Sequence, residues 1–293
     1  MNAQIIEHAP AKINLALHVT GRREDGYHLL DTLVAFTEAG DRILVETAST
    51  DSLSIDGPFA SHLTNDVDNL VLRARDLVRE LAGPRPPVAI RLHKNLPIAS
   101  GIGGGSSDAA ATLRALYRYW QIDLPHEALA RHALSLGADV PMCVQSRSLI
   151  AQGIGEAMRP VSLPSLSIVL VNPGIPVATP AVFRALHRRE NPALPPLNAI
   201  CSATGLVEWL RHTRNDLEAP ALSVVPQIGV VTAALRDQGS AIARMSGSGA
   251  TCFGIFADDE EAARAAAAIA SANPLWYVKA TRTLERASED VTH

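Results

Sequence analysis

The stretch KNLPIASGIGGGSSDAAATLRAL, residues 94–116, constrains the fold more than any other part of the chain. Four glycines and three serines stand among the eight residues from Ser100 to Ser107. Ahead of them PPVAIRLHKNLP alternates apolar and polar side chains as a strand does. After them Ala109, Ala110, Leu113, Leu116, Tyr117 and Trp120 recur at helical spacing. The loop is therefore a strand-to-helix turn, with Ser106, Ser107 and Asp108 all able to cap the helix start. Two uses fit it. Gly101, Gly103, Gly104 and Gly105 lack a Cβ, which lets a strand meet a helix closely. The same residues also open a path to the free N–H groups of the helix start, which is the chemistry of an anion site. One helix terminus contributes only about 0.3–1 kcal/mol per anion, so a triphosphate needs several amides and a cation besides. Ser-Ser-Asp after four glycines tilts the choice towards phosphate, with the Ser106 and Ser107 hydroxyls as further donors or magnesium ligands. A P-loop has Lys after its last glycine, where Ser106 stands here, and the dinucleotide fingerprint breaks at the same residue.

Composition narrows the partners. The 293 residues are 47% hydrophobic and 19% charged with a net charge of -4, which is ordinary for a folded chain of about two domains and offers no basic face for nucleic acid. MNAQIIEHAPAKINLAL has a glutamate and a proline where an export signal needs a basic start and an unbroken apolar run. LSIVLVNPGIPVATPAVF is interrupted by three prolines, so a buried strand and loop fit it better than a membrane span. Cys143, Cys201 and Cys252 are odd in number and far apart, which predicts neither a disulfide framework nor a zinc site and places the chain in a reducing cytoplasm.

Strand and helix patterns alternate along the chain. KINLALHVTGR and RILVETA read as strands, and NLVLRARDLVRELAG puts Leu70, Ala74, Leu77, Val78 and Leu81 on one helical face. HEALARHALSLGADVPMCV reads as a helix stopping near Gly137, with Pro141 beyond. SLIAQGIGEAMRPV leads into proline-rich sequence, and the domain boundary is placed there: residues 1–160 and 161–293. The second part runs strand (SIVLVNP), helix from Thr179, a Pro/Ala linker, two more helices, strand (CFGIFA), an alanine-rich helix and a last strand (WYVKATRT). The plan is α+β.

The pattern from Pro97 through Ile98, Ala99, Ser100, Gly101, Ile102 and the three following glycines to Ser106, Ser107 and Ala109 resembles the phosphate loop of the GHMP kinases, the group of galactokinase, homoserine kinase and mevalonate kinase. PAKINLALHVTGRREDGYHLLDTL, LGADVPMCV, NDLE and RMSGSGATCFGIF are similar to blocks of those family members that act on a cytidine-diphosphate-linked methylerythritol. Ser100 and Ile102 depart slightly from the usual loop, while keeping a small residue and an apolar anchor. The resemblance implies a two-domain GHMP kinase fold, with a ribosomal protein S5 domain 2-like N-terminal domain, a ferredoxin-like C-terminal domain and the active site in the cleft between them. It implies ATP with Mg2+ as phosphoryl donor and phosphorylation of a 2-hydroxyl in bacterial isoprenoid precursor synthesis, and no His/Asp/Glu set with metal-ligand spacing stands in the chain. It leaves a monomer or weak homodimer, without nucleic acid or membrane as partner. Another GHMP kinase, or a catalytically silent nucleotide-binding relative, shares the loop; the former has no use for Tyr27-His28 and the latter loses Lys12 or Asp139.

By the same resemblance, Asp139 takes the proton of the acceptor hydroxyl and Lys12 sits near it and the transferring phosphoryl group. A carboxylate is a weak base towards an alcohol, so Asp139 is expected to orient the hydroxyl and accept its proton late, while Lys12 neutralises developing charge. Read singly, Lys12 is a strand-end lysine and Asp139 a turn residue; it is their occurrence together with the loop that points to catalysis. The resemblance adds Lys94 near the nucleotide phosphates, Asn69 at adenine and Asn14 at the methylerythritol unit. Asn69 also reads as a simple N-cap, and Lys94 as a solvated charge at a strand end. Tyr27 and His28, after the Asp25-Gly26 turn, are suited to stack on a pyrimidine and bond its edge, with Phe183 on the opposite face and Thr179 close to substrate. Thr179 is also a plausible cap for its own helix. SGSGA, Ser246 to Ala250, is either a backbone nest for a diphosphate or a tight crossing; NDLE reads as a capped helix start without chemistry.

Overall fold

The computed structural model describes residues 4–63, 68–123, 126–198, 200 and 202–285. Two compact units emerge, neither of them a single stretch of chain. The first takes Met1–Lys12, Ala39–Ile98 and Gly103–Ser146; the second takes Ile13–Glu38, Ala99–Ile102 and Arg147–His293.

Two long strands, β1 (Gln4–Arg22) and β2 (His28–Thr47), pair with each other. Only parts of them are expected from pattern, because residues 31–37 of β2 are buried without interruption and so show no period of two. In the first unit, Arg42–Thr47 of β2 pairs antiparallel with β4 (Val88–His93), which runs parallel to β3 (Ser52–Asp56). Val88, Ile90 and Leu92 of β4 are buried and Arg91 and His93 exposed, the alternation legible in the sequence. Asn69 caps α1 (Leu70–Ala82), accepting the Val71 N–H at 2.9 Å. Its buried residues are Val71, Ala74 and Val78, a face turned from the expected one, and Leu81 is left exposed.

α2 (Gly104–Tyr119) packs against α1 and against a short helix, α4 (Val140–Gln145). Ala109, Ala110 and Ala111 are fully buried, and their small side chains permit close packing on more than one side of α2. α3 (His126–Ala133) runs through a 3-10 turn to Gly137, and α4 (Val140–Gln145) follows with Pro141 in its first turn. The sequence pattern ends the helix near Gly137 with Pro141 just beyond and reads Asp139 as a turn residue, so α4 is not expected from it. A proline in the first helical turn loses no hydrogen bond, so Pro141 starts this helix rather than preventing it.

In the second unit, β5 (Leu149–Gly153) pairs with Leu30–Val34 of β2 and with β6 (Ala157–Pro160), a hairpin that the sequence pattern does not mark. β7 (Ser167–Asn172) is followed by α5 (Thr179–Arg184), α6 (Ala203–Arg211), α7 (Glu218–Val224) and α8 (Gln227–Asp237). The linker is thus followed by three helices where two are expected, with Pro226 at the start of α8 dividing one apolar stretch in two. β8 (Ile242–Met245), β9 (Cys252–Phe256), α9 (Asp259–Ala272) and β10 (Tyr277–Arg282) complete the unit. The antiparallel order β10-β7-β9-β8, with helices after β7 and β9, is the β-α-β-β-α-β arrangement of ferredoxin-like folds. Central β7 and β9 are buried along their whole length. Val169, Val171, Ile228, Val231, Leu235, Phe256 and Ile269 form much of this core, each contributing about 1.5–3 kcal/mol of transfer free energy. Cys143 and Cys252 are buried free thiols; Cys201 lies outside the described residues. Among the described residues no helix is long and apolar enough to cross a membrane.

Candidate active site

In the first unit, Lys12 and Asp139 meet although 127 residues apart. Lys12 Nζ donates to Asp139 Oδ2 at 3.0 Å; the lysine side chain is 7% exposed and the aspartate 41%. Asp139 stands at the N-cap position of α4 without using its side chain as a cap, which leaves the carboxylate for Lys12. Both strand and helix are pinned by Arg114 of α2. Its Nε donates to Glu7 Oε1 at 2.8 Å and its Nη2 to His8 O at 2.7 Å, on β1 just before Lys12. Its Nη1 donates to Cys143 O at 2.8 Å and Ser146 Oγ at 3.2 Å, at the C-terminal end of α4. Sequence reasoning passed over Arg114, since an arginine in a helix pattern reads as a solvated charge. Burial pushes the Cys143 thiol up to about 12, with the nearby Asp139 charge adding to the effect, so this sulfur is not a nucleophile.

The second arm of the glycine loop belongs to the same unit. Gly103 is the N-cap of α2, in the left-handed region at φ 65°, and a Cβ on it would stand 3.2 Å from Lys12 Cβ. The helix therefore begins at Gly104, and Ser106, Ser107 and Asp108 lie inside it rather than capping it as expected. Glycine alone takes that turn without strain, so the capping role passed from side chain to backbone. Ser107 N–H makes the first helical bond, to Gly103 O at 2.8 Å, and the Gly104, Gly105 and Ser106 amides precede it. Ser107 Oγ donates to Pro10 O at 2.6 Å, which anchors the helix on β1 near Lys12. Pro97 and Ile98 precede the loop in this unit. Lys94 is buried, and its Nζ bonds Asp41 and Asp108. Asn69 carries the cap described above.

The first arm, Ala99, Ser100, Gly101 and Ile102, belongs to the second unit and is stitched to SGSGA. Thr251 N–H donates to Ser100 O at 3.0 Å, and Ser246 Oγ donates to Gly101 O at 3.0 Å. A Cβ on Gly101, at φ 76°, would sit 2.6 Å from Ser246 O and 2.7 Å from Gly249 O. SGSGA is therefore a tight backbone crossing. NDLE holds it: Asn215 Nδ2 donates to Met245 O and Gly247 O, both at 2.8 Å, and Glu218 Oε2 accepts the Met245 N–H at 2.8 Å. α7 has Leu217 at its N-cap with no side-chain cap bond, while Asn215 Oδ1 accepts the Leu217 N–H at 2.9 Å just ahead of it, so NDLE turns the chain into α7 and, beyond the sequence reading, also holds SGSGA. Arg244 donates to Leu15 O, Leu210 O and Thr213; burial lowers its pKa to about 10, with Glu218 opposing.

Also in this unit, Asn14 Nδ2 donates to Thr32 Oγ1 at 2.8 Å while its Oδ1 is buried without a partner. Leaving such an acceptor unpaired costs about 1–3 kcal/mol. His28 Nε2 is likewise buried without a partner. The His28 and Phe183 rings stack on each other, centroids 4.7 Å apart and planes 24° from parallel, while Tyr27 is 62% exposed. At that separation no third ring fits between His28 and Phe183, so a base sandwiched by Phe183 needs Tyr27 as its other wall or a shift of the Phe183 ring. Burial holds the His28 imidazole below its ordinary value, and Arg22 and Arg189 push the same way, so its free nitrogen is a neutral bonding atom. Thr179 is the first residue of α5, not its cap; Ala178 holds that position and Thr179 Oγ1 bonds Ser248 Oγ at 2.8 Å.

The family models for the GHMP kinase N-terminal and C-terminal domains match residues 69–147 and 202–275, so the fold and its loop are those of a GHMP kinase. The chain is 59% identical over 278 residues to the 4-diphosphocytidyl-2-C-methyl-D-erythritol kinase of Chelativorans sp. (strain BNC1), covering 94% of each. It is 58% identical over 276 residues to the enzyme of that name from Brucella melitensis biotype 1, covering 92% of each. A crystal structure of 4-(cytidine 5'-diphospho)-2C-methyl-D-erythritol kinase superposes with a TM-score of 0.80 at 36% identity, over 96% of this chain and 100% of that one. This chain belongs to the 4-diphosphocytidyl-2-C-methyl-D-erythritol kinase family. Homoserine kinase from Cytophaga hutchinsonii, at 17% identity and a TM-score of 0.68, shares the fold.

Proposed function

We propose that the chain transfers the γ-phosphoryl group of ATP to the 2-hydroxyl of 4-diphosphocytidyl-2-C-methyl-D-erythritol. The observation that carries this reading is the Lys12–Asp139 pair at 3.0 Å, in the same unit as the first-turn amides of α2. The substrate follows from the relatives' name together with the orphaned polar atoms of Asn14 and His28. The Gly104, Gly105 and Ser106 amides hold phosphate oxygens, where the helix dipole favours negative charge. Asp139 accepts a hydrogen bond from the 2-hydroxyl and takes its proton as the oxygen attacks the γ-phosphorus; the bond to the bridging oxygen breaks, and ADP leaves with that electron pair. Lys12 holds Asp139 in place and neutralises charge developing on the phosphoryl group.

Asn14 bonds the methylerythritol unit, Tyr27, His28 and Phe183 hold cytosine, and Thr179 lies close to the same substrate. Among the described residues no cluster of three His, Cys, Asp or Glu could hold a metal ion. In this reading magnesium comes with ATP on its phosphate oxygens, with the Ser106 hydroxyl as the protein's own donor, and supplies charge neutralisation there. The buried free thiols of Cys143 and Cys252 suit a reducing cytoplasm, and a monomer or weak homodimer completes the reading.

The test is ADP release with ATP, magnesium and the full substrate, beside the same assay on Asp139→Asn and on an acceptor lacking the cytidyl group. Turnover of the full substrate only, with a large loss in the variant, is the expected result. Nucleotide binding without turnover overturns the assigned acceptor.

A further inference from the structure

Under the second arm of the glycine loop, the first unit buries three ionisable groups that the transfer itself does not use. Lys94 Nζ lies 2.5 Å from Asp41 Oδ2 and 2.6 Å from Asp108 Oδ2, and the three side chains are 2%, 0% and 4% exposed. Asp41 uses its other oxygen as well: Oδ1 accepts the N–H groups of Asn95 at 2.5 Å and Leu96 at 2.8 Å, the residues that lead from β4 into the loop. Asp108 Oδ1 is buried with no partner. Gly104 closes the arrangement, because a Cβ there would stand 3.2 Å from Lys94 Nζ and 3.9 Å from Asp41 Oδ2. One cluster thus ties the end of β4, β2 and the first turns of α2, the three pieces from which this arm of the loop hangs.

We propose that Asp41, Lys94 and Asp108 form a positioning cluster that aims the Gly104–Ser106 amides at the nucleotide phosphates, with Lys94 acting through the two carboxylates rather than by touching phosphate. The proposal rests on the phosphate-loop reading above. A lysine meant for an exposed anion keeps its ammonium accessible, whereas two of the three donors of Lys94 are engaged by carboxylates on the buried side. Desolvation penalises so deeply buried an ammonium, yet Asp108 and Asp41 outweigh that and hold Lys94 above the ordinary lysine value. Burial also drives the Asp108 carboxyl upward; in its protonated form the cluster carries one positive and one negative charge and presents no net repulsion to the nucleotide. Buried ion groups of this kind are weak sources of net stability and are attested as devices for specifying geometry.

The experiment titrates the full-length protein with a non-hydrolysable ATP analogue, measures steady-state kinetics, and records Tm. Asp41→Asn keeps the Oδ1 acceptor but removes the charge facing Lys94. It is expected to weaken analogue binding and raise the KM for ATP about tenfold, with kcat at saturating ATP and the KM for the acceptor within about twofold, as loss of uniform nucleotide binding requires. Lys94→Arg is expected to fall between wild type and Asp41→Asn. Should the single variants fail to fold, Asp41→Asn/Lys94→Met/Asp108→Asn removes all three charges at near-constant volume; folded triple variant with at least tenfold weaker analogue binding supports the cluster's role. A folded variant, single or triple, that binds the analogue as wild type does overturns the proposal. A wild-type protein that binds no analogue overturns the phosphate-loop reading, and this one with it.

Discussion

Lys12 Nζ and Asp139 Oδ2 stand 3.0 Å apart, the lysine nearly buried and the aspartate open on one side. Such asymmetry suits a base held from behind and presented to an acceptor. Asp139→Asn keeps the shape and loses the proton acceptor, and kcat is expected to fall by about 10²–10⁴ with the KM for ATP little changed. Lys12→Met should fall in the same range. The double variant should be only slightly worse than the poorer single one, because the pair acts as a unit. Additive losses in single-turnover assays count against a shared role.

Arg114 supports that pair from below, through Glu7 and His8 on one side and the end of α4 on the other. Arg114→Met removes one of the two arginines on a mostly buried Glu7, whose Oε2 keeps Arg118 at 2.9 Å, and leaves helix-end carbonyls without a donor, and should cost about 1–3 kcal/mol in denaturant unfolding. Arg114→Lys restores the charge without the forked donors and should recover only part of the loss. Equal stability of the two variants would show that charge alone matters there.

Gly101 and Gly83 both have positive φ, at 76° and 78°, but only Gly101 is crowded, since nothing lies within 4 Å of a Cβ on Gly83. Gly83, at ψ −177°, lies in a region almost confined to glycine, so Gly83→Ala should cost only the backbone strain, about 1–3 kcal/mol. Gly101→Ala adds a clash with the carbonyls of Ser246 and Gly249, neither of which belongs to a flexible side chain, and should cost clearly more. Thermal unfolding of the two variants side by side decides it.

His28 links stability to pH. Its pKa is lowered in the folded state by burial, then by Arg22 and Arg189, so below the ordinary value of 6.5 the unfolded chain takes up the proton first. Stability from this group is thus complete above pH 6.5 and declines as pH falls below it towards the folded value. His28→Gln should flatten the pH dependence of Tm between about 7.5 and 5 relative to wild type. An unchanged slope would place the effect on another group.

The sequence by itself determined the strand, glycine loop and helix and most of the strand and helix run of the second half, without β8 (Ile242–Met245), while Lys12 and Asp139 stood out through the family resemblance. These rest on local chemistry or on a motif: alternation marked β4, helical spacing marked α2, and the block around Lys12 is a word specific to one family. The tertiary structure alone decided where the helix begins, which way Lys94 points and what holds the site together. Gly103 takes the left-handed turn where a Cβ would stand 3.2 Å from Lys12 Cβ, a neighbour from β1 that lies 91 residues away in the chain. Asp41 and Arg114 carry no signal in the sequence and Asp108 reads there only as a helix cap, since the carboxylates, carbonyls and ammonium they satisfy come from other elements. Burial turns such groups from solvated surface into fixed geometry, and burial is a property of the packed chain rather than of any one segment.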